Sequence, residues 1–411
     1  MIGLVATGWE VRALIPNGWF PPMAWRLAPA WRAACARALP ANWSLDGISI
    51  GDLRFQNRVP SRLSKPLSLV GRVELALRKE LASAAHRPGI LLVQFALPHG
   101  SAVRASAISH GIPYAVHLRG DDVWIWPHER ADRMLAFQEV VRDAALVIGV
   151  SRNILVEAQR LVGPQPIRGA VVPNGIDTRA FSPVEESERQ RLRETAGIRA
   201  EQLVVLCVAP QLVAKGWPEL LNALGELPYD RGRIVLHCVS SSLRDEIDVP
   251  AEAARRAPNV QVLFERDVPR HRMPDLFRMA DVFALPSRSE GMSNAVLEAM
   301  ASGVAVLTTR VGGHAEVIED GSNGRLVPPG DVRALREALE TLLISPSDRE
   351  SLGSAARSRA ERIGDSLASG RTLARLLEAV FRRDLNPDLL DEDPYSVSTD
   401  LTCGRSQATI L

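Results

Sequence analysis

Short apolar runs that alternate with longer helical patterns are the feature that most constrains this fold. The plainest example begins at residues 281–286 (DVFALP), which have the composition of a buried parallel strand closed by a proline. A polar turn follows, and apolar residues between Ala295 and Met300 then predict a helix that Gly303 ends. Strand, turn and helix patterns repeat in this order along most of the chain. That order predicts α/β domains built on doubly wound parallel sheets.

The alternation falls into two series, which are separated by a charged stretch poor in apolar residues at 183–201. We predict an N-terminal domain over 1–185, a C-terminal domain over 200–365, a last helix over 366–383 that packs back on the N-terminal domain, and a disordered tail over 384–411. Two Rossmann-like domains in series predict a ligand in a cleft that both domains face, at the carboxyl ends of the strands.

Composition narrows the class of protein but does not identify a ligand. The 411 residues are 46% hydrophobic and 24% charged, and the formal net charge of +1 gives no reason to expect a nucleic-acid partner. The four cysteines have no CxxC spacing, which favours a reduced, cytoplasmic protein. The sequence has no run of about 18 apolar residues that would predict a transmembrane helix. Its N-terminus also lacks the basic leader and cleavage site of a signal peptide.

Residues 17–43 combine several tryptophans with interleaved arginines. This composition fits an amphipathic element that contacts the inner face of a membrane peripherally. It also fits a helical excursion whose aromatic side chains pack on their own domain. The sequence leaves both interpretations open.

The polar turn between the strand at 281–286 and the following helix is a candidate ligand site. Unpaired amides collect at a helix start, so residues 291–294 favour an anion. Glu290 precedes the turn, and Glu298 lies about one helical turn further on and points back toward the same opening. An anion site flanked by two carboxylates suits a ligand with both phosphate and hydroxyl groups, such as a nucleotide sugar. The alternative is an exposed helix start whose N-terminal acid favours the helix dipole.

Residues 287–331, SRSEGMSNAVLEAMASGVAVLTTRVGGHAEVIEDGSNGRLVPPGD, resemble the retaining glycosyltransferases of family 4, which have the GT-B fold. The paired glutamates, AMASG, GGHAEVI and LVPPGD match that family in order and spacing. KGWPELLNAL at 215–224 and VPNGIDTRAFSP at 172–183 match as well. The N-terminal half resembles the branch of surface-polysaccharide and teichuronic-acid-type enzymes in TGWEVRALIP, LPHGSA and LRGDDV. The resemblance covers about residues 1–383.

This resemblance implies a role for each matching residue of the second series. Lys215 takes the position of the lysine that neutralises the donor diphosphate. Glu290 matches the glutamate near the transferred sugar, and Glu298 the glutamate that takes the ribose hydroxyls. The residues whose amides would face phosphate and sugar are Gly291, Met292, Ser293 and Asn294.

Three residues are implied on the sugar and acceptor side. Arg119 falls where many members carry a sugar-contacting histidine, and Asp122 could orient an acceptor or donor hydroxyl. For these two residues the alternative is a local salt bridge at a strand end. Asn174 falls in a turn at the cleft, where a purely structural turn is the alternative.

The activity that the resemblance implies is transfer of a hexose from a nucleoside-diphosphate sugar to a glycan or lipid-linked glycan, with retention. In such enzymes the acceptor attacks on the face that the nucleotide leaves. The protein positions the reactants and stabilises the departing diphosphate. No cofactor or metal is expected. Asp121 and Asp122 are therefore interpreted as not being a metal site, because Lys215 and the helix amides serve the phosphate.

Three departures from the family pattern leave an alternative open, a truncated non-catalytic relative that at most binds nucleotide. Pro210 stands where members carry an arginine five residues before the lysine, and Arg288 or Arg310 are candidates to replace it. Serines at 240–242 replace a glycine-rich pair. The family's first strand and glycine-rich loop fall before the position that aligns with Met1. An N-terminal sheet that lacks this central strand would expose apolar edges.

Overall fold

The computed structural model describes residues 10–19, 42–45, 48–56, 69–83, 88–241, 245–363, 366–385, 390 and 407–410. The strands are β1 Glu10–Trp19, β2 Asn42–Leu45, β3 Ile48–Gln56, β4 Ile90–Gln94, β5 Tyr114–Leu118, β6 Leu146–Gly149, β7 Gly169–Val171, β8 Leu203–Val208, β9 Ile234–Ser240, β10 Gln261–Arg266, β11 Val282–Leu285, β12 Ala305–Thr309, β13 Arg325–Val327 and β14 Gln407–Ile410. The α-helices are α1 Leu69–Ser83, α2 Ser101–His110, α3 Asp121–Trp124, α4 Ala131–Asp143, α5 Arg152–Val162, α6 Glu186–Thr195, α7 Trp217–Gly225, α8 Val249–Arg256, α9 Met273–Met279, α10 Asn294–Ala301, α11 His314–Val317, α12 Val332–Ile344, α13 Pro346–Ile363 and α14 Ser366–Arg382.

These elements form two compact units, each built on one sheet. The first unit contains the described residues up to Pro173, together with α14 and β14, and the second contains those of Asn174–Asp365. Among the described residues, the first sheet has the strand order β2-β3-β1-β14-β4-β5-β6-β7 and the second has the order β10-β9-β8-β11-β12-β13. Every neighbouring pair is parallel except β2 with β3. The two predicted α/β sheets are thus present.

Strand β14 lies in the middle of the first sheet, which corrects part of the predicted tail. Disorder was predicted over 384–411, whereas Gln407–Ile410 pairs in parallel with β1 on one side and β4 on the other. Ala408 is the register partner of both Val11 and Ile90. A strand at this position supplies hydrogen-bond partners to two strand edges that would otherwise be unpaired inside the sheet. The expected gap in the N-terminal sheet is filled from the far end of the chain.

The tryptophan-rich stretch at 17–43 is partly strand. Asn17, Gly18 and Trp19 end β1, and Trp43 lies in β2, so these residues are not helical as predicted. Strand pairing with β3 fixes both ends of the stretch. The remaining positions of the predicted amphipathic element, 20–41, lie outside the described residues.

Helix α14 packs against the first sheet although it follows the second unit in the chain. Its apolar residues recur every three or four positions and form one face. The buried residues of this cluster are Ile90, Leu92, Ala115, Leu146, Ile148, Ala170, Val172, Leu373, Ala374, Leu376, Leu377 and Val380. Ile90 and Leu92 are alternate residues of β4, and Leu146 and Ile148 are alternate residues of β6. The two members of each pair therefore face the same side of the sheet.

Residues 174–185 belong with the second unit, although the N-terminal domain was predicted to extend to 185. Phe181 is buried and packs edge-on against Phe277 at a centroid distance of 5.7 Å. The guanidinium of Arg357 donates to the carbonyl oxygens of Thr178 at 2.8 Å and Phe181 at 2.7 Å. These contacts fix the segment to helices of the second unit.

Helix α6 is attached to the same unit by a buried ion-pair network. The carboxylate of Asp281 accepts from Arg189 at 2.6 Å, from Arg193 at 2.7 Å and from the amide of Val204 at 2.7 Å. Burial opposes ionisation of Asp281, but the two guanidinium groups prevail and hold its pKa below its ordinary value. The start of β11 is thereby tied to both β8 and α6.

Candidate functional site

The order in which the chain adds strands to the second sheet reverses between β8 and β11, which makes this position the topological switch point of the sheet. The candidate site lies there. From β8 the chain continues outward through β9 and β10, and it then returns to β11 on the other side of β8. Loops after two such neighbouring strands diverge at their carboxyl ends and leave a crevice, which is where open α/β sheets bind ligands. The loop after β8 carries Lys215, and the loop after β11 carries Glu290.

A salt bridge joins these two loops. Nζ of Lys215 lies 2.8 Å from Oε1 of Glu290, and the two side chains are only 21% and 11% exposed. The hydroxyl of Ser287 donates to the same carboxylate oxygen at 2.8 Å. Because both charges are largely desolvated, this pair is electrostatically stronger than a surface pair would be.

Gly216 lets the loop after β8, which carries Lys215 and is called the lysine loop below, approach the end of β11. Its φ is 76°, and a Cβ at this position would lie 2.0 Å from the carbonyl oxygen of Pro286. Any side chain would therefore displace the loop, and only glycine adopts this backbone conformation without strain. The Lys-Gly pair at 215–216 thus has a steric reason as well as an electrostatic one.

The loop after β12 closes over the glutamate. Gly312 has a φ of 46°, and a Cβ there would lie 1.7 Å from the carbonyl oxygen of Glu290. The amide of Gly313 donates to the carbonyl oxygen of Gly291 at 2.8 Å. These contacts fix the backbone of the turn that precedes α10.

His314 is buried beneath this turn. Its Nδ1 lies 2.9 Å from the hydroxyl of Thr308, and its Nε2 has no hydrogen-bond partner among the described residues. Burial lowers its pKa, although the nearby carboxylate of Glu290 acts in the opposite direction. The imidazole is therefore neutral at ordinary pH and supports the turn without adding charge.

The predicted anion-binding turn lies at the N-terminus of α10. Gly291 and Met292 are buried, Ser293 is half-buried and Asn294 is exposed. Ser293 precedes the helix and makes no side-chain cap, so it leaves the first amides of α10 without a side-chain partner. The amide group of Asn174 donates to the carbonyl oxygen of Met292 at 3.2 Å, which gives Asn174 a structural contact with the turn.

Glu298 points its carboxylate from the second turn of α10 toward an arginine. It is 5% exposed, and its Oε1 lies 3.3 Å from Nη1 of Arg270, whose side chain is 73% exposed. Burial raises the pKa of Glu298, and the charge and hydrogen bond of Arg270 oppose that shift. A buried carboxylate at the edge of the crevice can accept hydrogen bonds from ligand hydroxyls.

Arg119 and Asp122 lie in the first unit, at the carboxyl end of β5. Asp122 is fully buried and accepts from the amides of Ala96 at 2.9 Å, Arg119 at 3.0 Å and Gly120 at 2.9 Å. Burial raises its pKa, and these hydrogen bonds oppose the shift. Both carboxylate oxygens hold backbone, so Asp122 positions the loops after β4 and β5. Burial also lowers the pKa of Arg119, while the Asp122 carboxylate acts against that shift.

One ion pair at the site was missed by the sequence interpretation. Nε of Arg288 lies 2.9 Å from Oε1 of Glu219, and Nη2 of Arg288 also donates to that oxygen. Arg288 was considered only as a replacement for the absent arginine at position 210. The sequence did contain a signal for this pair. Glu219 is the third residue of the helix that follows Lys215-Gly216, and this position places its carboxylate beside the loop that carries Lys215.

The described residues contain no group of three or more His, Cys, Asp or Glu side chains arranged to hold a metal ion. No helix within the described ranges is both long and apolar enough to cross a membrane.

Comparison with known families assigns both series of the chain. The model described as Glycosyltransferase Family 4 matches residues 4–180, and the model described as Glycosyl transferases group 1 matches residues 188–359. TuaC of Bacillus subtilis (strain 168), named as a glycosyltransferase of teichuronic acid biosynthesis, is 30% identical over 285 residues, which are 69% of each chain. The chain belongs to glycosyltransferase family 4. Members of this family are glycosyltransferases of the class that uses nucleotide-sugar donors.

Other relatives of this family 4 member carry more specific names. A D-inositol 3-phosphate glycosyltransferase of Kribbella flavida is 31% identical, over 62% of this chain and 61% of the relative. A GDP-mannose-dependent phosphatidylinositol monomannoside mannosyltransferase of Mycolicibacterium smegmatis is 32% identical, over 59% of this chain and 64% of the relative. These two alignments span slightly less than two thirds of each relative's length.

Solved structures show that the family 4 chain has the GT-B fold. A sucrose-phosphate synthase from Thermosynechococcus elongatus superposes with a TM-score of 0.70 at 17% identity, over 91% of this chain and 99% of the other. Anabaena HepE, solved in complex with UDP-glucose, superposes with a TM-score of 0.68 at 20% identity, over 90% and 99%. At these identities the likeness concerns the fold.

Proposed function

We propose that this glycosyltransferase moves a hexose from a nucleoside-diphosphate sugar to a glycan or lipid-linked glycan acceptor, with retention, in cell-surface polysaccharide synthesis. The observation that carries this proposal is the Lys215–Glu290 pair beside the amide-rich turn at 291–294, at the switch point of the second sheet. A diphosphate there would meet an ammonium group and unpaired helix amides. The carboxylates of Glu290 and Glu298 are acceptors for hydroxyl groups of the sugar and the ribose.

In the proposed reaction the bond between the anomeric carbon and the diphosphate oxygen breaks. The acceptor oxygen bonds to the same carbon from the side that the diphosphate leaves, and its proton passes to the departing diphosphate. The products are a glycoside and a nucleoside diphosphate. Lys215 and the turn amides stabilise the charge that develops on the leaving group, and preorganised groups of this kind contribute strongly to catalysis.

We propose that this transfer needs neither a cofactor nor a metal ion, because the ammonium and the amides supply the positive charge at the diphosphate. Arg119 is the proposed sugar-side cation of the first unit. Its guanidinium sits at a strand end, where loops of α/β sheets carry ligand-binding groups. Asp122 serves by holding the loop that carries Arg119, as its hydrogen bonds with the amides of Arg119 and Gly120 require.

The names of the relatives support the cell-surface role. TuaC is named for teichuronic acid biosynthesis, and the mycobacterial relative for mannosylation of a phosphatidylinositol mannoside. The second name specifies a glycan attached to a lipid, which fits the proposed acceptor class. We propose that the chain acts in the cytoplasm, with peripheral contact at the inner face of the membrane through the tryptophan-rich residues 17–43.

Donor turnover tests the proposal. The full chain would be incubated with UDP-glucose, UDP-galactose or GDP-mannose and a bacterial lipid extract as the acceptor source, and release of the nucleoside diphosphate would be measured. We expect one donor to be consumed in an acceptor-dependent way, with retained configuration in the product by NMR. The Lys215→Ala variant should lose this activity and the exposed Lys79→Ala variant should keep it. Nucleotide binding without turnover of any donor would support the alternative of a non-catalytic relative.

A further inference from the structure

We propose that Arg288 is the second cation of the diphosphate site and that Glu219 holds it in place, so that the site selects nucleoside diphosphates over monophosphates. This inference rests on the proposed function. It adds a residue pair that joins the loop after β11 to the first turn of α7, directly after the loop that carries Lys215, and it specifies the class of leaving group that the donor must carry.

The first step is charge. Lys215 is paired with Glu290 at 2.8 Å, so the two charges largely cancel within the site. A diphosphate brings a negative charge on each of its phosphate groups. The paired ammonium group and the partial positive charge of the helix amides neutralise part of this charge, so another cation within reach of the same turn would strengthen diphosphate binding.

The second step is position. Arg288 lies two residues before Glu290, and its amide donates to the carbonyl oxygen of Ala214 at 2.8 Å. Ala214 directly precedes Lys215, so this hydrogen bond fastens the loop after β11 to the loop after β8. Position 210 supplies no cation, because it is a proline whose carbonyl oxygen accepts from Nε1 of Trp217 at 2.9 Å.

The third step is the unusual state of the ion pair. The side chain of Arg288 is 54% exposed, whereas that of Glu219 is 6% exposed. Nε and Nη2 of Arg288 both donate to Oε1 of Glu219. The buried Oε2 of Glu219 has no hydrogen-bond partner among the described residues. Nη1 of Arg288 makes no hydrogen bond to a described residue. A bidentate pair would use both carboxylate oxygens, so this pair keeps guanidinium donors available for an anion.

Glu219 therefore acts as a positioning residue. It lies in the first turn of α7, at the third helical position after Gly216, and burial fixes its carboxylate beside the lysine loop. It orients Arg288 toward the two loops and balances its charge. When a diphosphate enters, its oxygens compete with Glu219 for Arg288.

Paired binding measurements test the inference. The affinities of UDP, UMP, GDP and GMP would be measured by isothermal titration for the full chain and for Arg288→Ala. We expect this substitution to lower the affinity for UDP or GDP, whichever of the two the chain binds, by about 10- to 100-fold, as loss of a charge-assisted hydrogen bond does. Binding of the matching monophosphate should change by less than about threefold. Arg255→Ala, which removes an exposed arginine paired with Glu252 on α8, is the matched control and should change neither.

The Glu219→Gln variant separates phosphate binding from a structural role. Glutamine keeps an oxygen that accepts from Arg288 and so preserves its position, but it carries no charge that competes with phosphate. If Arg288 binds phosphate, the diphosphate affinity of Glu219→Gln is therefore equal to or higher than that of the wild-type chain. If the pair only fastens the loops, Glu219→Gln and Arg288→Ala both weaken diphosphate and monophosphate binding alike, and the inference is wrong. An unchanged diphosphate affinity in Arg288→Ala would also overturn it. Failure of the unchanged chain to bind either diphosphate would instead contradict the proposed function.

Discussion

Nζ of Lys215 lies 2.8 Å from Oε1 of Glu290, so a cation from one loop and a carboxylate from another neutralise each other across the switch point of the second sheet. A diphosphate that binds to Lys215 must compete with this carboxylate. Glu290 therefore disfavours binding of the diphosphate alone, while the proposed contact of Glu290 with the transferred sugar favours binding of the intact donor.

The Glu290→Gln substitution should separate these two effects. The variant should bind the free nucleoside diphosphate about 3- to 10-fold more tightly, because about 1 kcal/mol of competing ion-pair energy is removed. Its kcat for sugar transfer should fall, because the carboxylate near the sugar is lost. Titration with UDP or GDP and steady-state kinetics with the sugar donor would measure both effects. A variant that binds the diphosphate more weakly than the unchanged chain would contradict the competition argument.

Gly312 offers a test of the loop that closes over Glu290. Gly312→Ala should weaken donor binding at least 10-fold, because a methyl group cannot occupy a position 1.7 Å from the carbonyl oxygen of Glu290 and the turn must shift. Gly321→Ala is the matched control. Its φ of 78° imposes a similar backbone strain, but no atom lies within 4 Å of the added Cβ. Both variants should lose some stability, and only Gly312→Ala should lose donor affinity. Equal donor affinities would show that Gly312 does not set the position of the turn.

Asp281 should make the stability of the second unit depend on pH. The folded-state pKa of Asp281 lies below its ordinary value, so its ion pairs stabilise the fold fully above the unfolded-state pKa of about 3.9. This stabilisation is lost as the pH falls through the folded-state pKa. Asp281→Asn should cost about 3–5 kcal/mol of unfolding free energy at pH 7, because the buried guanidinium of Arg193 and the partly buried one of Arg189 lose their charged partner.

Denaturant unfolding between pH 3 and pH 7 measures this effect. The stability gap between Asp281→Asn and the unchanged chain should narrow as the solution becomes more acidic. Asp245→Asn, which removes one partner of a more exposed pair with Arg266, should lower stability less than Asp281→Asn does at pH 7. A gap that stays constant over the whole range would contradict the ionic explanation.

Strand β14 gives a prediction for the first unit. Deleting residues 407–410 leaves the facing edges of β1 and β4 without their hydrogen-bond partners. We expect a lower melting temperature and faster amide hydrogen exchange in β4, while exchange in β8 and β11 of the second unit stays unchanged. Equal exchange rates in β4 of the two proteins would show that Gln407–Ile410 does not support this sheet.

The sequence predicted most of the second unit because its signals are local. Buried parallel strands appear as continuous apolar runs. The Lys-Gly pair at 215–216 and the polar turn before α10 can likewise be recognised from neighbouring residues in the sequence. Partners far apart in the chain were not predicted. The hydrogen bond from Asn174 to Met292 and the pair of Arg288 with Glu219 depend on how loops meet in space. The position of β14 depends on a pairing across nearly the whole chain, and no local pattern encodes that pairing.

Asp122 shows a different limit of sequence interpretation. The sequence left two interpretations open for Asp122, which could orient a ligand hydroxyl or form a local salt bridge at a strand end. Residue type alone gives no means of choosing between these partners and the backbone. The structure shows both of its oxygens occupied by backbone amides. Its burial and these backbone partners, which the sequence did not reveal, give Asp122 a structural role, and a contact with a ligand hydroxyl stays a prediction.

The most direct test of the central claim is the affinity of Lys215→Ala for a nucleoside diphosphate, compared with Lys79→Ala, which removes an exposed lysine of α1. The account predicts that Lys215→Ala binds UDP or GDP, whichever the wild-type chain binds, about 10- to 100-fold more weakly than the wild-type chain does. It predicts no loss in Lys79→Ala. Equal affinities of the two variants, measured by isothermal titration, would contradict the claim that the crevice between β8 and β11 binds a diphosphate.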